Sequence, residues 1–287
     1  MSSLLPQLML GLFNGACYAL LSLGLAIIFG LLNVVNFAHG AFYMLGAFIG
    51  WGLLHYAGLG YWAALVIAPL VVGVLGVVLE RTLLSRLYRL DPLYNLLLTF
   101  GLALILQGLF LAKFGSSGEI YDPPAALRGA WNLGFMILPI YRGWVMIVSV
   151  VVCLATWYVT ERTKLGSYLR AATENAGLVQ AFGINVPRMV TVTYGLGVAL
   201  AAFAGVLAAP IFRVNPTMGD DMIIIVFAVV VIGGMGSIMG SIVTGFALGL
   251  VEGLTKVLYP PASSTVVFAL MALVLLVRPA GLFGKAP

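Results

Sequence analysis

The chain has 287 residues and a mass of 30.4 kDa; 62% of it is hydrophobic, 8% is charged, and its mean hydropathy is +1.13. A soluble domain averages about 45–50% apolar and about 25% charged residues, so a soluble fold of this composition could not cover its surface; a disordered chain would need the opposite balance. What remains is a polytopic membrane protein, and its net charge of +5 reads as basic cytoplasmic loops rather than a nucleic-acid surface.

Residues 1–79 contain no Asp, Glu, Lys or Arg, and further charge-free runs cover 92–112, 143–160, 189–212, 222–251 and 257–277. A spanning helix needs about 20 mainly apolar residues, and β-barrel strands would alternate, which the run Met222 to Ile232 does not. The expected class is therefore all-α. Spans are expected near 8–29, 36–55, 61–79, 93–112, 143–160, 189–209, 222–237, 239–258 and 263–278. That makes eight or nine, because 222–258 is hard to divide. Polar connectors fall at 80–92, 113–142, 161–188, 210–221 and 259–263. The whole chain, 1–287, reads as one transmembrane domain. Its opening Met1-Ser-Ser-Leu-Leu-Pro lacks a basic n-region, so a cleaved signal peptide is not expected. Cys17 and Cys153 fall inside spans and read as small apolar fillers.

Nine of the 14 basic residues cluster in three segments: Arg81, Arg86 and Arg89; Arg162, Lys164, Arg170 and Arg188; Arg278 and Lys285. The positive-inside rule places these segments, and the C-terminus, in the cytoplasm. With three spans before residue 80 the N-terminus is outside.

Small residues recur at spacing four: Gly11 and Gly15; Gly197, Ala201, Gly205 and Ala209; Gly245, Gly249 and Gly253. Such stripes let helices approach closely in lipid, and generic packing is the simplest reading. Enzymatic constellations are missing: there is no HExxH and no GxxxxGK[ST] phosphate loop. Any ATPase driving this protein must be another chain. Glu252 is the acidic residue inside a late span, and Lys256 four residues on reads as its ion-pair partner.

Two segments could carry function. Gly30-Leu-Leu-Asn-Val-Val-Asn-Phe-Ala-His-Gly40 places Asn33, Asn36 and His39 at spacing three in a charge-free stretch. It reads either as a tight turn at the headgroups or as a broken backbone forming part of a translocation path or gate, since irregular backbone at membrane depth must be buried or line a cavity. The second is the 161–188 loop, where Leu165, Leu169, Ala172, Ala176, Val179 and Phe182 fall on one helical face and Gly183 gives a stop. It reads as a docking helix for a partner or as an amphipathic helix on the lipid surface.

Asn33-Val-Val-Asn-Phe-Ala-His-Gly-Ala-Phe-Tyr-Met-Leu-Gly46, the stretch from Gly166 to Ile184, Val231-Ile-Gly-Gly-Met-Gly-Ser-Ile-Met-Gly240 and the tail Val277-Arg-Pro-Ala-Gly-Leu-Phe-Gly284 together resemble the permease subunits of branched-chain amino acid ABC importers, in their shorter LivH type. The resemblance spans nearly the whole chain. It implies a transporter component that does no covalent chemistry and binds no cofactor itself. ATP would be bound by two cytoplasmic ATPase subunits pushing on a coupling helix that includes Gly166, Leu169, Arg170, Ala171, Ala172, Glu174, Asn175 and Gly183. It also implies a second, homologous permease chain, a periplasmic amino-acid-binding protein and the bacterial inner membrane. Related permeases serve urea, amides and aromatic acids, so the substrate stays open within that group. A stand-alone carrier or channel is the rival class.

Overall fold

The computed structural model describes residues 4–32, 35–88 and 90–284. Asn33, Arg89 and Lys285 lie outside the described residues. The described residues are mainly helical. In order the helices are α1 (Leu4–Leu32), α2 (His39–Ala57), α3 (Tyr61–Leu79), α4 (Ser85–Leu87), α5 (Pro92–Phe114), α6 (Ile140–Arg162), α7 (Lys164–Glu174), α8 (Ala176–Ala181), α9 (Val186–Ala208), α10 (Met218–Gly233), α11 (Ile238–Leu258) and α12 (Val266–Val277). A π-helical stretch, Glu80–Leu84, joins α3 to α4 without a break. A small hairpin, β1 (Ala130–Asn132) against β2 (Ile137–Pro139), folds within the long connector after α5.

Each expected span falls on a helix. Among the described residues, six stretches are long and apolar enough to cross a membrane: α1, the continuous Tyr61–Leu87, α5, α6, α9 and α11. The ambiguous run 222–258 is divided at 234–237. Gly234 and Gly236 take positive φ values of 101° and 84°, and Ser237 Oγ accepts the Gly240 N–H at 3.1 Å to cap α11. Asp91 caps α5 just before Pro92, and Asn185 caps α9 just before Val186-Pro187, both readable as start signals.

The small-residue stripes find one another. Gly11 and Gly15 on α1 lie against Gly249, Gly253, Gly245 and Phe246 on α11, so closely that a Cβ on Gly11 would come within 3.2 Å of the Gly253 Cα. Gly197 on α9 meets Gly24 and Ile28 of α1, and Gly205 meets Tyr43 and Ala47 of α2. Helices packed on small residues exclude lipid and gain dispersion contacts along their length, the association mode expected in a bilayer. The inner group is α1, α2 and α9, with α3, α6, α10 and α11 around it and α5 and α12 outermost. In α5 only Asn95 and Thr99 are buried.

The connectors sort onto two ends of the bundle. At one end the α6–α7 junction, the end of α1 and the 234–237 turn share a crevice lined by Gly30, Glu161, Arg170 and Gly236. The C-terminal tail joins them, since Leu282 N–H bonds the Ile232 carbonyl at 2.8 Å. At the other end Glu119 and Val214 form a two-way backbone bridge that ties the 115–139 connector to the 209–217 connector.

Candidate functional site

The first candidate is the break before α2. At about 1.5 Å per residue α1 is about 43 Å long, more than the roughly 30 Å hydrocarbon core. His39 at the start of α2 bonds the Leu21 carbonyl at 3.0 Å, and Leu21 lies about 16 Å back from the end of α1. The chain thus re-enters the bundle before α2 begins. Asn36 and His39 are buried, 2% and 0% exposed. That position is inside the helix bundle, not in a surface turn. Asn36 Nδ2 donates to Tyr194 Oη of α9 at 3.0 Å, while its Oδ1 accepts the Ala38 N–H at 3.1 Å, so one side chain both holds α9 and turns the chain into α2. Phe37 N–H donates to Thr99 Oγ1 of α5 at 3.2 Å. His39 Nε2 is the donor to Leu21, which leaves Nδ1 as a buried acceptor without a partner. The helix begins here because Asn36 supplies the turn and because Gly40 lets its backbone pack on Gly219 at the start of α10. The arrangement ties α1, α2, α5, α9 and α10 at one interior point.

The second candidate is the α7–α8 segment. A Cβ on Gly166 would run into the Thr160 carbonyl, so only glycine lets α7 fold back against the end of α6. Arg170 Nη1 donates to the Thr160 carbonyl at 2.8 Å and to Glu161 Oε2 at 3.2 Å, fastening that corner. Asn175 breaks the helix (φ −153°, ψ 90°) and caps α8 by accepting the Leu178 N–H at 2.9 Å. Gly183, at φ 83°, ends α8. Ala172 and Val179 are buried against Val186, Ile184, Met189 and Val190. Leu165 and Leu169 line an apolar cavity of about 390 Å³ together with Val152, Leu196 and Leu200.

The apolar face expected from periodicity is thereby divided. Leu165, Leu169, Ala172 and Val179 turn toward the chain's own α6 and α9. The break at Asn175 resets the helical phase, so the surface that remains open is a different one. It is a shallow groove formed by Tyr168, Ala171, Glu174, Leu178 and Phe182. Phe182 is 77% exposed and Leu178 56%. Ala171, Glu174 and Asn175 of the expected set lie on this surface; Gly166, Arg170 and Ala172 serve the fold beneath it.

Sequence reasoning missed Glu80 by placing it in a polar connector. It is 2% exposed, inside the π-helical turn. Its Oε2 accepts from Thr191 Oγ1 of α9 at 2.6 Å and its Oε1 from Tyr88 Oη at 3.0 Å. Burial, and the Glu80 carboxylate beside it, push the Tyr88 phenol above its usual range. The available signal was a lone carboxylate directly at the end of a 79-residue charge-free run.

Long apolar helices, a buried connector between α1 and α2 and an exposed two-helix appendage at one end define a polytopic membrane protein. More particularly, the chain belongs to the family described as branched-chain amino acid transport system / permease component, whose pattern matches residues 7–276. It is 30% identical to the high-affinity branched-chain amino acid transport system permease protein LivH of Escherichia coli, over 98% of this chain and 96% of that protein. It is 31% identical to the corresponding permease protein BraD of Pseudomonas aeruginosa, with the same shares covered. It is also 29% identical to LivM of Escherichia coli, over 92% of this chain and 67% of that protein. No solved structure matches.

Proposed function

We propose that this chain is one permease half of an ATP-driven importer of branched-chain amino acids in the bacterial inner membrane. The observation that carries the reading is similarity over nearly the whole length to permease proteins whose names specify that transport. The chain crosses the bilayer nine times, with the N-terminus outside and the α7–α8 segment, the 234–237 turn and the C-terminus in the cytoplasm. A second permease chain pairs with it; the additional likeness to LivM, a longer permease, supports a heterologous partner. Two cytoplasmic ATPase subunits bind the ATP and engage α7–α8, and a periplasmic binding protein delivers the amino acid.

The geometry gives the coupling a route. A load on α7 passes to α6 through the Gly166 corner and Arg170, and a load on α8 passes to α9 through Val179 and Val186. α9 runs from that corner past Tyr194, the anchor of Asn36. ATP shifts the population only as far as it binds one conformer more tightly than the other, and a shift from 1:99 to 99:1 takes about 5.5 kcal/mol. The test is uptake of labelled leucine, isoleucine, valine, phenylalanine and urea by cells with and without the gene, and without the ATPase genes. ATPase-dependent uptake of the three aliphatic amino acids is expected. Uptake that survives loss of the ATPases identifies a stand-alone carrier, and uptake confined to urea or phenylalanine moves the substrate.

A further inference from the structure

A second interior feature lies apart from the coupling segment and shares only Leu21 with the anchor of His39. Between α1, α6, α9 and α11 lies a cavity of about 250 Å³. It suits one small metabolite rather than a drug-sized ligand, whose pockets run from about 300 Å³ upward. Its wall has two chemically distinct parts. One is aliphatic: Leu20, Leu21, Val145 and Leu207, all at most 2% exposed. The other is ionic and polar. Glu252 Oε1 is 2.6 Å from Lys256 Nζ, and Glu252 Oε2 accepts from Tyr18 Oη at 2.7 Å. Ser149 on α6 lines the same cavity, is fully buried, and its Oγ has no hydrogen-bond partner.

The two residues share one helix, with Lys256 39% and Glu252 13% exposed, so the pair sits at the rim of the cavity. Here both charges border empty space and retain unused capacity. Lys256 has two further N–H donors, each Glu252 oxygen keeps a free lone pair, and the Ser149 hydroxyl is unclaimed. A cation and an anion at one end and branched aliphatic side chains at the other complement a zwitterion with an aliphatic tail.

We infer that this cavity holds the transported amino acid during passage. The α-carboxylate is received by Lys256 and the Ser149 hydroxyl, the α-ammonium by Glu252, and the side chain by Leu20, Leu21, Val145 and Leu207. The assignment rests on the importer reading above and adds to it where in the chain the substrate sits. Glu252 lies about 9 Å from the end of α11, on the side of the bundle opposite α7–α8, the side from which a binding protein would deliver. Ala204, Leu207 and Ala208 give the cavity a wall from α9, the helix that also meets the coupling segment.

The test uses the reconstituted complex of both permeases, the ATPases and the binding protein, with a leucine analogue carrying a side-chain diazirine as the probe. Irradiation is expected to label peptides containing Leu20, Leu21, Val145 or Leu207, and excess leucine should compete the label away. E252Q is expected to raise the KM for leucine uptake at least tenfold, and S149A about threefold, with the complex still assembled. If wild-type complex imports leucine while competable label appears only outside these peptides, the site is overturned and the importer reading stands. An unchanged KM in assembled E252Q likewise reduces the pair to a structural tie. If wild-type complex imports no leucine at all, the importer reading fails and the site assignment with it.

Discussion

At the residue scale, Asn36 does two jobs with one amide, and this separates it from its partner. Replacing it with Ala removes the bond to Tyr194 and the turn bond to Ala38, leaving buried groups unsatisfied. Each buried group so orphaned costs about 1–3 kcal/mol; Asn36→Ala orphans two, Tyr194 Oη and the Ala38 N–H, and Tyr194→Phe only one, the Asn36 amide. Asn36→Ala should therefore destabilise the detergent-solubilised protein more than Tyr194→Phe, as read by thermal unfolding; equal losses would contradict the double role. Gly166 is the second such residue. Gly166→Leu cannot keep α7 against Thr160, and overpacking costs about 1–3 kcal/mol. The expected result is ATP hydrolysis stimulated by the binding protein but with uptake lost. Arg170→Ala should be milder, because the ion pair with Glu161 is nearly half exposed and such pairs are worth about 0–1 kcal/mol.

At the scale of elements, α7 and α8 show how a helical repeat can mislead. A continuous period through 165–182 puts Leu165 and Phe182 on one face. The structure turns the first, 40% exposed, toward the cavity it shares with Leu196 and sets the second, 77% exposed, on the open groove, because Asn175 interrupts the period. Amphipathic helices fill grooves with their exposed apolar residues. Phe182→Glu should therefore release the ATPase subunits on co-purification while the permease keeps its melting temperature. Ala172→Trp should instead lower that temperature, since Ala172 is packed against the start of α9 through Val186. If Phe182→Glu retains the ATPases at wild-type yield, the groove of Tyr168, Leu178 and Phe182 is not the docking surface.

At the scale of the whole molecule, the tail, the α6–α7 corner and the 234–237 turn share one end of the bundle, and the 115–139 and 209–217 connectors share the other. The described basic residues Arg162, Lys164, Arg170 and Arg278 lie on the connectors of the first end. The positive-inside rule predicts that this end is cytoplasmic. Ser85, Ser117 and Ser167 are all exposed, so single cysteines there can report sidedness. An impermeant reagent applied to intact cells should label position 117 and spare 85 and 167. Labelling at 85 or 167 would invert the topology.

The helices and their ends were legible in the sequence because they are set locally. Charge-free runs fix which segments can enter lipid, and Asp91-Pro92 and Asn185 mark starts, while the divide within 222–258 was settled only by the positive-φ turn at Gly234 and Gly236. The Glu252–Lys256 pair was legible for the same reason, four residues apart on one helix. The resemblance to a permease family was likewise written in short motifs. Tertiary structure alone decided which stripe of glycines meets which, that Asn36 bonds a tyrosine 158 residues away, and that Glu80 is buried on α9. It also decided that Tyr18 and Ser149 join Glu252 around one cavity. In lipid every spanning helix is apolar on all sides, so hydrophobic periodicity carries no information about neighbours. Only the fit of side chains across helices selects the partners, and with them the interior sites.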